Sequence, residues 1–335
     1  MHEALFYTAE NEGKVRCNLC PHNCLLSPGR KGICKVRFNK DGKLYTGVYG
    51  CIAASHSDPI EKKPLYHFFP GCEILSIGSP GCNLRCMFCQ NFTLSQCETL
   101  DAIKHLDLSP RQLVDHALEI PWNIGIAYTY NEPTVAYEMM LETAGLSKTA
   151  GLKNVVISNG FINRGPLEQI LPYIDAFNID LKAFTEGFYR KITGGSLRPV
   201  LDTLKTIYLA GKHLEITMLV IPSLNDSETE FAEMLNWIAT ELSPDVPFHL
   251  SRYFPAWKME LPPTPTETLQ RLADLASKRL LFVYTGNVSK NNYSNTKCPD
   301  CHNLLIERQR YNTRIAGLAP DGKCNHCGAV IPVVI

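Results

Sequence analysis

From Ile74 onward, short runs of β-branched and aromatic residues alternate with helix-length segments, the rhythm that builds parallel sheets from βα units. The pattern predicts strands at 74–78, 124–128, 154–158, 176–180, 214–221, 248–251 and 281–284. Helix punctuation lies between them: Ser109 before Pro110 marks a start, the run 133–150 stops at Gly151, and 198–210 stops at Gly211. Six or seven such units predict an α/β fold, a partial (β/α)6-type TIM barrel over residues 71–290. Residues 1–70 are different. They hold turn-rich segments at 27–32 and 40–43 and no long helical period, which predicts a small cysteine-rich extension. Segment 58–65 carries Pro59 and Pro64 and should run extended into the barrel. Residues 291–335 form a third piece, with two Cys-x2-Cys pairs and an apolar end.

Charge changes this picture little. Lys plus Arg equals Asp plus Glu at 33 each, so the chain lacks the basic field of a non-specific nucleic-acid binder. It shows neither a cationic leader nor an apolar run of membrane-spanning length, and a cytoplasmic protein with no membrane partner is expected. Cysteine changes it a great deal: 11 of the 14 fall into three short clusters. In a reducing compartment, such spacing points to metal ligands before disulfides. Cys51, Cys72 and Cys97 stand outside the clusters and read as inert thiols.

The central cluster is Cys82-x3-Cys86-x2-Cys89, on a loop just after the first predicted strand. A cubane [4Fe–4S] cluster has four irons, so three thiolates leave one iron open to a small molecule, whereas a closed zinc site needs a fourth ligand. Phe88 is an aromatic shield within the loop. Ligands of parallel α/β sheets bind where the loops leave the C-terminal strand ends. Tyr130, Asn131 and Glu132, then Ser158 and Asn159, then Asp180 and Lys182, follow the next three predicted strands. The N-terminal set, Cys17-x2-Cys20-x3-Cys24-x9-Cys34, has the four thiolates of a closed site; its spacing favours zinc over an auxiliary iron–sulfur cluster, with His22 a bystander. Cys298, Cys301, Cys324 and Cys327 have the two-knuckle spacing of a zinc ribbon, read as a structural staple, with an auxiliary cluster as the alternative.

The spacing Cys-x3-Cys-x-aromatic-Cys after a first strand resembles the cluster motif of the radical S-adenosylmethionine (SAM) superfamily. Residues 81–91 resemble the pyruvate formate-lyase activating enzyme group. Taken with the two flanking cysteine sets, 58–65 and 129–133, the chain resembles the radical SAM member of the AmmeMemoRadiSam system over nearly its whole length. The resemblance implies that Cys82, Cys86 and Cys89 hold a [4Fe–4S] cluster whose open iron takes the amino and carboxylate groups of SAM. Where relatives carry Gly-Gly-Glu, this chain has Tyr130-Asn131-Glu132, so side chains are expected to crowd there. Ser158-Asn159 would face the ribose or carboxylate, Asp180-Leu181-Lys182 matches an Asp-Leu-Lys of activating enzymes, and the strand around Leu219 would line the adenine. SAM offers an ammonium, a carboxylate and hydroxyls, which suit carboxylate, lysine and amide partners of this kind.

The implied activity is reductive cleavage of SAM to a 5′-deoxyadenosyl radical that takes hydrogen from a substrate, with a low-potential electron donor and AMMECR-domain and Memo-like partner proteins. His249 and Arg252, on the sixth predicted βα unit, are the candidates for a substrate-facing wall. Two other readings remain open at this point: an activating enzyme for a glycyl-radical protein, and a zinc-binding scaffold without SAM chemistry.

Overall fold

The computed structural model describes residues 1–97, 103–288 and 293–335. The expected boundary between residues 290 and 291 lies outside the described residues. An eight-stranded sheet dominates: β1 Ala54–Pro59, β2 Glu73–Gly78, β3 Asn123–Tyr128, β4 Lys153–Ser158, β5 Ala176–Asp180, β6 His213–Val220, β7 Phe248–Arg252 and β8 Val283–Gly286. Strand order in the sheet follows chain order. Every neighbouring pair from β2 to β8 is parallel, and β1 is antiparallel to β2. This one-directional winding is compatible with a partial barrel. Among the described residues, the longer helices between the strands are α1 Pro110–Glu119, α2 Tyr137–Thr149, α3 Arg164–Ile170, α4 Leu197–Leu209, α5 Glu228–Glu241 and α6 Thr266–Ala276. Ser109 starts α1 with a reciprocal cap: Gln112 N donates to Ser109 Oγ, and Ser109 N donates to Gln112 Oε1.

Two expectations move. β1, with the sequence Ala-Ser-His-Ser-Asp-Pro, has no apolar alternation, so periodicity could not mark it; pairing with β2 alone makes it a strand. The last strand is Val283–Gly286 rather than 281–284, because Leu281 lies exposed before the turn into the sheet.

Segment 60–72 does more than lead into the sheet: it plugs the end at which the strands begin. Ile60, Leu65 and Phe68 are buried with Ile74, Ala127, Val155 and Ala176. Burial strips the plug's amides of water, and Glu215 on β6 replaces it, accepting from Tyr66 N at 3.0 Å and His67 N at 2.7 Å. The C-terminal piece closes over the same plug. Its sheet, Thr296–Lys297, Leu304–Gln309 and Asn312–Ile315, packs Leu305 and Ile306 against Phe282 and Tyr284. The chain end then exchanges amide bonds with the plug, Phe69 N to Val334 O at 2.8 Å and Val334 N to His67 O at 2.8 Å.

A polar chain runs through this junction with one consistent orientation. Arg308 donates to Thr296 Oγ1 (2.9 Å), which lies 2.8 Å from Tyr284 Oη, and Tyr284 lies 2.6 Å from His67 Nε2. His67 Nδ1 donates to Pro332 O at 3.1 Å, which leaves Nε2 to accept from the Tyr284 hydroxyl in the neutral ring. Burial pushes the His67 pKa down to about 3. The unfolded chain therefore binds a proton below its ordinary value of about 6.5 that the folded chain refuses. This contribution to stability is complete above about pH 6.5 and is lost as pH falls toward 3, with a slope approaching about 1.4 kcal/mol per pH unit. Urea unfolding across this window should show that slope in the wild type and a flatter one in His67→Gln; equal slopes would refute it.

Candidate functional site

The cysteine loop leaves the C-terminal end of β2, and the backbone holds it on several sides. Gly81 N donates to Leu94 O (2.9 Å), Arg85 N to Thr193 O (2.7 Å) and Met87 N to Ile192 O (3.0 Å). Gly81 has φ +96°, and a Cβ there would lie 2.6 Å from Val36 Cγ1 and 3.0 Å from Cys34 O, so only glycine lets the N-terminal extension approach this closely. Polar hydrogens reach the sulfurs. Leu84 N lies 3.4 Å from Cys82 Sγ, Asn159 Nδ2 lies 3.7 Å from it, and Ser95 Oγ lies 3.1 Å from Cys89 Sγ. Burial pushes the Cys86 thiol up to about 12 and the Cys82 thiol well above its usual range, so metal coordination is what would free these sulfurs of their protons.

The residues after the next three strands converge on this loop, with different tasks. Asn131 donates from Nδ2 to the carbonyls of Ser79 and Gly81, clamping the loop's start. Its Oδ1 is buried without a hydrogen-bond partner, an acceptor awaiting a donor. Asn159 joins the turn after β4 to the loop, with Nδ2 2.9 Å from Asn83 Oδ1, while Asn83 Nδ2 returns a bond to Phe161 O at 2.7 Å. After β5, Lys182 Nζ lies 2.8 Å from Asp180 Oδ2 and 5.9 Å from the centre of the Phe88 ring. Burial works against the lysine's charge, but the Asp180 carboxylate outweighs it and the pKa rises. Leu219 lies near the end of β6, and its carbonyl accepts from Asn225 Nδ2 at 2.8 Å.

Four expected residues sit differently. Glu132 is fully buried and saturated: it accepts from Thr134 N and Oγ1, from Ser158 Oγ at 2.9 Å and from Asn159 N at 2.8 Å. It positions the Ser158–Asn159 turn, and the Ser158 hydroxyl is spent on it. Tyr130, at φ +72°, does not crowd the loop. Its hydroxyl bonds Asp58 Oδ2 (3.3 Å) and lies 3.1 Å from His56 Nδ1, and Lys63 covers its ring at 4.9 Å. The reason is the absence of a side chain at Gly78, where a Cβ would meet the Tyr130 ring at 2.9 Å. His249 is buried and donates to Glu215 Oε2 at 2.6 Å, beside the Tyr66 ring of the plug; it stabilises the plugged end of the sheet instead of forming a substrate wall. Arg252, at the end of β7, stays half-exposed, tied by Nε to Thr264 O at 2.7 Å. Asn83 and Ser95, which touch the site, were not singled out from the sequence, although Asn83 follows Cys82 directly.

The flanking cysteines differ from one another. Cys298 Sγ lies 3.5 Å from Cys327 Sγ, and Cys301 Sγ lies 3.7 Å from Cys324 Sγ. Among the described residues, these four form the one group of three or more potential metal ligands drawn within 4.8 Å of one another. The C-terminal set is therefore a metal-binding site made of four cysteines.

Comparison with known proteins gives this arrangement its family. Residues 76–235 match the family described as the Radical SAM superfamily. Residues 76–235 are a radical SAM domain. An uncharacterized protein of Methanocaldococcus jannaschii is 41% identical over 339 residues, covering all of both chains. The pyruvate formate-lyase-activating enzyme of Clostridium pasteurianum is 26% identical over 163 residues, 47% of this chain and 66% of that protein. The benzylsuccinate synthase activating enzyme of Thauera aromatica is 26% identical over 123 residues, 36% of this chain and 37% of that one. In fold, the chain is similar to a radical SAM methyltransferase from Sphaerobacter thermophilus, with a TM-score of 0.51, 15% identity and 71% of each chain covered. A radical SAM domain implies an enzyme that uses a [4Fe–4S] cluster and SAM. No helix among the described residues is long and apolar enough to cross a membrane.

Proposed function

We propose that Cys82, Cys86 and Cys89 hold the [4Fe–4S] cluster and that SAM binds beside it, between the cysteine loop and the turns after β3, β4 and β5. In this reading the sheet curves as a partial (β/α)6-type barrel with the site at its C-terminal mouth. The observation that carries the proposal is the unpartnered, buried Oδ1 of Asn131 next to a loop that supplies only three thiolates. An acceptor in that position suits the ammonium of SAM. Bound together, cluster and SAM supply a 5′-deoxyadenosyl radical that abstracts hydrogen from a substrate. The chain's own residues do the rest. Asn131 and Asn159 orient the ligand and fix the loop, Asp180 and Lys182 offer one charge of each sign, Phe88 keeps water from the sulfurs, and Leu219 offers an apolar face toward the adenine. Glu132 acts through Ser158 and Asn159.

The substrate is proposed to be presented with AMMECR-domain and Memo-like partner proteins, and the electron to come from a low-potential carrier. Support comes from the resemblance of the whole chain, with its three cysteine sets, to the radical SAM member of the AmmeMemoRadiSam system. A second reading, activation of a glycyl-radical protein, is favoured by the similarity to the pyruvate formate-lyase and benzylsuccinate synthase activating enzymes. Anaerobic pull-down with candidates of both kinds separates the two readings. The SAM pocket itself is tested by Asn131→Ala. Loss of one hydrogen bond to a charged group should weaken SAM binding about tenfold or more by calorimetry, at unchanged iron content. Unaltered affinity would place the pocket elsewhere.

A further inference from the structure

The N-terminal cysteines line a small, largely enclosed cavity. Cys17, Cys20, Cys24 and Cys34 all reach it, and Leu19, Leu26 and Val135 complete an apolar wall. Yet their sulfurs are not drawn together as those of the C-terminal set are. That contrast carries chemical information. Zinc sits about 2.3 Å from each of four thiolates, which forces the sulfurs to about 3.8 Å from one another. The C-terminal sulfurs, at 3.5 and 3.7 Å, already have that separation. A cubane cluster instead holds its thiolates around four irons and four sulfides, and needs them spread about a central space.

We propose that Cys17, Cys20, Cys24 and Cys34 bind an iron–sulfur cluster of the [4Fe–4S] type, not zinc, whereas the C-terminal four bind zinc. Two further features fit. A Cβ on Gly32 would lie 3.7 Å from Cys24 Sγ and 3.8 Å from Cys34 Sγ, so a residue without a side chain leaves the space between those two sulfurs free. Arg37 is a buried cation with Nη1 3.8 Å from Cys17 Sγ, balanced by its ion pair with Glu138 on α2.

This site abuts the radical SAM loop. Asn83 lines the cavity, and its carbonyl bonds His22 Nε2 at 2.8 Å. At Gly81, one residue before Cys82, a side chain would collide with Val36 and the Cys34 carbonyl. The two cysteine sets are thus built against each other, and metal content has to be assigned one set at a time.

The test uses the full chain, reconstituted anaerobically with iron and sulfide, and does not depend on SAM chemistry. The triple variant Cys82→Ala, Cys86→Ala, Cys89→Ala should retain about four irons and about one zinc per chain, with the electron paramagnetic resonance signal of a reduced cubane cluster. Adding Cys20→Ala and Cys34→Ala should remove that iron and leave the zinc. Unchanged far-ultraviolet circular dichroism would show that the loss is not unfolding. A triple variant with no iron and about two zincs overturns the proposal. So does iron that survives the two added substitutions. Loss of SAM cleavage in wild-type protein would count against the proposed function and leave this result untouched.

Discussion

Chains carrying Cys82→Ala, Cys86→Ala or Cys89→Ala are expected to lose the irons of the central loop and all formation of 5′-deoxyadenosine, while the chain stays folded. A cubane cluster tuned to leave one iron open has no spare protein ligand, so each thiolate is needed. The loop's shape depends on backbone bonds, Gly81 N to Leu94 O, Arg85 N to Thr193 O and Met87 N to Ile192 O, which the substitutions leave in place. Stability should therefore fall by no more than about 1–3 kcal/mol, the range for removing one buried small side chain. Chromatographic detection of 5′-deoxyadenosine from dithionite-reduced protein and SAM decides the matter. Any variant that still makes it removes its cysteine from the cluster.

Truncation before Cys298 is expected to do the opposite, destroying stability first. The C-terminal piece covers Phe282 and Tyr284, and Arg308 donates to Tyr66 O at 2.6 Å. Removing it strips Phe69 N and His67 O of Val334, His67 Nδ1 of Pro332, and Thr296 Oγ1 of Arg308. Each buried group left unpaired costs about 1–3 kcal/mol, so the sum rivals the whole stability of an ordinary domain, about 5–15 kcal/mol. A thermal melt should show a large fall in Tm or no cooperative transition. An intact Tm with lost SAM cleavage would instead make the C-terminal piece part of the catalytic apparatus.

The central βα units were legible because parallel strands and their helices repeat one local rhythm. The strands from 124 to 221 lie within a residue or two of their observed bounds, and Ser109 caps α1 as its sequence foretells. β1 was not legible, since its polar residues owe their strand geometry to β2. The chemistry divides in the same way. Cysteine spacing names thiolates by the number of residues between them, a local property. Whether an adjacent polar residue faces a ligand depends on what the rest of the fold offers it. Glu132 meets Ser158, Thr134 and the Asn159 amide and is used up by them. Tyr130 finds a ring-sized gap over Gly78 and takes it. His249 lies on the strand expected for it, yet is drawn to Glu215, whose carboxylate also caps the plug.

The sequence by itself determined the parallel βα architecture, the three cysteine sets and the three-thiolate loop, because each is written in short-range spacing. The tertiary structure alone decided that segment 60–72 seals the starting end of the sheet, that Glu132 and His249 hold the frame, and that the N-terminal thiols stand apart while the C-terminal ones close up. The physical reason is common to all of these: buried polar groups take partners from distant segments, and only the folded chain brings those partners within hydrogen-bonding reach.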